Sequence, residues 1–144
     1  MRAWFAALFG ARAIWSALDA GAAPLGSLVL AAGLVRALGI SNYGVAVVAA
    51  GDSEYPLIPD ATAPFVYARI MGTKPKEPLG YSVAELDAWA ARARSWAGGG
   101  HPRDFPPVSA EKPSSGGRDV FLYVISGHKV ANPAAAQALI ERVK

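Results

Sequence analysis

Three groups of side chains in this sequence carry atoms able to accept a proton, give one up or hold an ion. They are Asp52, Ser53 and Glu54, the lone Arg69 inside the apolar run FVYARI, and Ser126, His128 and Lys129. The first group has oxygens for a general base or a hard cation. Arg69 has the planar fork of donors that suits a carboxylate or phosphate. Each group also has a plainer reading. Asp-Ser after a strand is a common turn, an isolated histidine is usually a surface residue, and an arginine in a strand can serve a structural ion pair.

Several fingerprints are missing. Ser126 lacks the Gly-x-Ser-x-Gly elbow that exposes a nucleophile. His128 has no second histidine or cysteine at ligand spacing, so no metal site is assigned. The sequence contains no phosphate-loop motif, no dinucleotide fingerprint and no His-Glu-x-x-His. Gly98 to Gly100 follow a helical pattern rather than open one, and so cannot cradle a phosphate. With no cysteine, disulfides, thiolate zinc sites and thiol nucleophiles are excluded. No cofactor is assigned.

What would position these groups is a set of alternating elements. Residues 45–49 form a short apolar run between Gly44 and Gly51, the pattern of a strand buried on both faces. Residues 65–70 are aromatic and β-branched and stop before Gly72, which predicts a second strand. Ser82 stands three residues before Glu85, the capping-box spacing, so a helix is expected over 83–97. Leu86, Trp89, Ala90, Ala93 and Trp96 then make one apolar stripe to pack on a sheet. Residues 120–125 predict a third strand. Asn132 as cap and Pro133 in the first turn predict a last helix over 133–143. The stretch 98–118, rich in Pro, Gly and Ser, reads as an exposed, mobile loop. Residues 28–38 read as a helix leading into the first strand. The fold class is therefore α/β, a parallel sheet covered by helices in one domain.

The net charge is only +3 and its basic residues are scattered, so no nucleic-acid footprint is expected. Residues 1–50 hold four charged side chains, Arg2, Arg12, Asp19 and Arg36. The uncharged stretch 20–35 is shorter than a bilayer span and is broken by Pro24 and three glycines. Arg12 and Asp19 interrupt any signal-peptide core. A cytoplasmic protein without membrane contact is the expectation.

Three stretches, GVAVVAAGDSEYPLIPDATAPFVYARIMGT, GYSVAELDAWAARARSW and RDVFLYVISGHKVANPAAAQALIERV, together resemble the C-terminal part of the YecE-like family, domain of unknown function 72. The resemblance covers about residues 44–143 and rests on Arg69, Gly72, Gly80, Tyr81, Leu86, Trp89, Asp119 and Val120 in that order. It implies a TIM-type β/α barrel of which this chain carries a part, with 1–43 as a poorly matched Ala/Gly-rich segment. Ile125-Ser126-Gly127 departs from the Phe-Asn-Asn-like segment of many relatives, so a ligand role for those amides does not carry over.

Two roles follow. In the first, a partial TIM-type β/α barrel binds a small polar or anionic ligand at the C-terminal strand ends through Asp52, Arg69 and Tyr81. In the second, it is a structural or protein-interaction remnant without catalytic activity, which pairs with itself or another protein through exposed sheet edges and apolar helix faces, or a truncated, non-functional product. A pocket shared by the three side chains favours the first; side chains on different faces favour the second. Arg69 is expected to be buried and paired with Asp52 or Glu54. No reaction is assigned.

Overall fold

The computed structural model describes residues 38–108 and 116–144. The expected helix at 28–38 lies, but for its last residue, outside them, as does 109–115 of the expected mobile loop. The elements are β1 (Val48–Gly51), β2 (Phe65–Ile70), α1 (Val83–Ala97), β3 (Asp119–Val124) and α2 (Asn132–Val143). Single 3-10 turns lie at Ile40–Tyr43 and Lys129–Ala131. All three strands are parallel and lie in the order β1-β2-β3. Among the described residues the sheet is open, not closed into a barrel.

One side of the sheet is the core. Val66, Ala68 and Ile70 of β2 are buried, and with Ala49 they join Leu86, Trp89, Ala90 and Trp96 of α1 and Ala135, Ala138 and Leu139 of α2. The helix α1 starts as its sequence dictates. The Ser82 hydroxyl accepts the Glu85 N–H while the Glu85 carboxylate accepts the Ser82 N–H. Gly51 lies under Trp89: a Cβ there would sit 2.3 Å from the indole, so this strand end admits glycine only.

The first strand starts later than its sequence suggests. Thr62 intercepts the preceding segment: its hydroxyl donates to Val45 O (2.8 Å) and accepts the Val47 N–H (3.0 Å), so ladder pairing begins at Val48. Nor is β1 buried on both faces, since Ala49 and Gly51 are buried while Val48 is exposed. The connection to β2 contains no helix and is tied down by the buried Asp60, Thr62 and Ala63.

At the start of α2, Asn132 lies within the helix rather than capping it. Its side chain is used elsewhere. Oδ1 accepts the Thr73 hydroxyl (2.8 Å) and Nδ2 donates to Ser126 O (3.1 Å), which joins the segments after β2 and β3.

The connection from α1 to β3 has more anchors than its composition suggests. Phe105 packs edge-on against Trp89, with centroids 5.5 Å apart, and also near Trp96. Arg92 lies over both the Trp89 and Phe105 rings and pairs with Asp104. The ends of the connection are closed together, because the Arg118 N–H donates to Ala97 O and Gly99 packs directly on Gly116.

Candidate functional site

Because the strands are parallel, the segments that follow them, beginning at Asp52, Met71 and Ile125, gather at one end of the sheet. There the Trp89 indole N–H donates to Asp52 Oδ2 at 2.7 Å. Asp52 takes a left-handed backbone, φ 53°, and its Cβ lies where a Gly72 side chain would go. The Tyr81 hydroxyl is buried and accepts the Gly72 N–H at 2.8 Å. Burial pushes the Tyr81 pKa up, the Gly72 hydrogen bond opposes that, and the nearby Asp52 carboxylate adds to it. The phenol therefore stays protonated, and Asp52, Gly72, Tyr81 and Trp89 form a brace that fixes the loops after β1 and β2.

Arg69 is not part of that brace. It is exposed, and among the described residues no ion pair or hydrogen bond holds it. The expected burial and pairing with Asp52 or Glu54 are thus overturned. The reason is strand parity: side chains alternate, so Arg69 shares the side of Phe65 and Tyr67, opposite the helices. In register it lies between Ala50 and Tyr123, neither of them acidic. An arginine in water needs no compensating carboxylate.

The other candidates serve the backbone. Ser53 Oγ donates to Ala50 O and accepts the Tyr55 N–H, a turn role, while Glu54 is exposed. Ser126 has a left-handed backbone at φ 56°, and His128 donates its main-chain N–H to Thr73 O. Lys129 opens a 3-10 turn. No group of three potential metal ligands occurs among the described residues. The structure thus brings Asp52 and Tyr81 together and leaves Arg69 on the other face.

That other face is the feature the sequence reading missed. Phe65 and Phe121 meet edge to face at 5.9 Å, and Tyr67 and Tyr123 lie 5.1 Å apart. Phe121 and Tyr123 are each 46 % exposed, and Val48 is 44 % exposed. On the helix side, a groove of about 440 Å³ runs along β3. Its lining is mainly apolar and includes Ala93, Ala97, Leu122, Leu139 and Ile140. Asp52 does not line it. The period-two aromatic pattern in FVYARI and VFLYVI was available as a signal, but not which parity the helices would cover.

A family model described as protein of unknown function DUF72 matches residues 31–144. The chain belongs to the DUF72 family. No curated protein and no solved structure matches it. The three parallel strands and two helices of this DUF72 protein all lie within the matched span. No described helix is long and apolar enough to cross a membrane.

Proposed function

We propose that this DUF72 protein acts as an interaction unit, an open part of a TIM-type β/α barrel that associates with a second copy of itself through its aromatic sheet face. The observation that carries the reading is the face of Phe65, Tyr67, Phe121 and Tyr123, which no described helix covers, on a sheet whose described strands are all parallel. Such sheets are ordinarily covered on both sides, because their faces are too apolar to leave in water. In a closed barrel this layer is the packed interior. The described helices lie on one side of the sheet and its strands run in sequence order, which agrees with that parentage.

The test is sedimentation across a hundredfold range of protein concentration, on the full chain and on a double variant, Phe121→Ser with Tyr123→Thr. Concentration-dependent association that the double variant abolishes is expected. A chain that stays monomeric throughout overturns the reading.

A second reading rests on Arg69 alone. A cation at the C-terminal end of the central strand, with no partner of its own among the described residues, fits a small anionic ligand. In that reading Asp52 and Tyr81 position the surrounding loops and do not touch the ligand. Titration with inorganic phosphate, followed by amide NMR, should then give saturating shifts near Arg69 and Gly72 that Arg69→Gln removes. Non-saturating shifts, or shifts unchanged in the variant, would reject it.

A further inference from the structure

At the end of the sheet opposite the candidate site, three ionisable side chains come together: Asp60 from the β1–β2 connection, His101 just after α1, and Arg118 leading into β3. Asp60 and Arg118 are each only 6 % exposed. They fasten the α1–β3 connection, since Asp60 Oδ2 accepts the Val108 N–H at 2.8 Å and Arg118 Nη1 donates to Gly100 O at 3.2 Å. The connection therefore depends on groups whose charges act on His101. In the ring itself, Nδ1 is buried and has no hydrogen-bond partner among the described residues.

We propose that His101 makes this fastening proton-sensitive, so that acidification loosens the α1–β3 connection from the N-terminal ends of the strands.

Geometry supplies the main argument. An imidazolium carries a proton on both nitrogens, so protonation of the tautomer that holds its proton on Nε2 turns Nδ1 into a buried donor with no acceptor among the described residues, which is costly. The charged groups set against the ring are Arg118, which repels the added charge, and Asp60, which attracts it. Burial and Arg118 outweigh Asp60, and the His101 pKa is lowered from its ordinary value of 6.5. The sign follows. The unfastened chain takes up the proton more readily, so the fastening is complete above the ordinary imidazole pKa. It weakens as the pH falls through that value toward the depressed one.

The test follows two amide protons in the full chain by hydrogen exchange, Val108 N–H and Arg118 N–H, between pH 7.5 and 5.5, with intrinsic exchange rates divided out. Their protection relative to the Ala68 amide of the central strand is expected to fall several-fold on acidification in the natural sequence. It should stay flat in His101→Gln, which cannot be protonated. An equal fall in both proteins overturns the proposal. Should the variant not fold, NMR titration of the His101 ring in the natural chain decides: titration below the ordinary value supports the proposal, and titration at or above it overturns it.

Discussion

The two faces of the sheet are built from the same strands and carry opposite kinds of side chain. The helix-facing side of β2 presents Val66, Ala68 and Ile70, small or branched residues that let two tryptophans approach closely. The open side presents Phe65, Tyr67 and Arg69 on β2 and Phe121 and Tyr123 on β3. The bulk that fills the core thus comes from α1, whereas the bulk on the open side belongs to the strands, where Phe65 meets Phe121 and Tyr67 meets Tyr123. What this teaches is that composition does not mark the core here. The larger strand residues lie on the side away from the helices, and only the helix layer decides which face the fold depends on.

The comparison breaks most visibly at the helix layer. Trp96 is fully buried between α1 and the sheet, and Trp96→Ala should cost about 3–5 kcal/mol in urea unfolding, by the usual price of removing a buried aromatic. A loss below about 1 kcal/mol would mean that the helix face is not the core. An intermediate effect is expected at the brace between them. Tyr81→Phe removes the acceptor of the Gly72 N–H and should cost about 1–3 kcal/mol by the same measurement. The smallest effect belongs to the open face, where Phe121→Ser removes one cross-strand aromatic pair and should cost the monomer about 0.2–1 kcal/mol. A larger loss that grows with protein concentration would instead count the open face as part of an associated core.

Local signals were legible in the sequence. The capping box put the start of α1 at Val83, and the stripe from Leu86 to Trp96 named its buried face. The aromatic and β-branched run gave β2 its bounds, Phe65 to Ile70, and β3 starts one residue before its apolar run, at Asp119. What could not be read depends on contacts between distant segments. Thr62 shortens β1 from its N-terminal side, and Asn132 leaves its capping role for Thr73. Arg69 shows the limit most clearly. Its parity with Phe65 and Tyr67 was visible in FVYARI, but burial of either parity satisfies the same pattern. Of the candidate site, Asp52 and Tyr81 had been grouped with Arg69 as contacts of a ligand, and the Trp89 N–H that donates to Asp52 had been read only as part of an apolar stripe.

The contact of Gly99 on Gly116, with the Arg118 N–H on Ala97 O, closes the α1–β3 connection at its base. With the base closed, the path between strand and helix no longer depends on how many residues lie in the excursion. Lengthening it costs only chain entropy, about 0.6 kcal/mol for each doubling. Sequence inserted after the last described anchor, Val108, such as a tag, a probe or a further peptide, is therefore expected to leave unaltered how α1 meets β3.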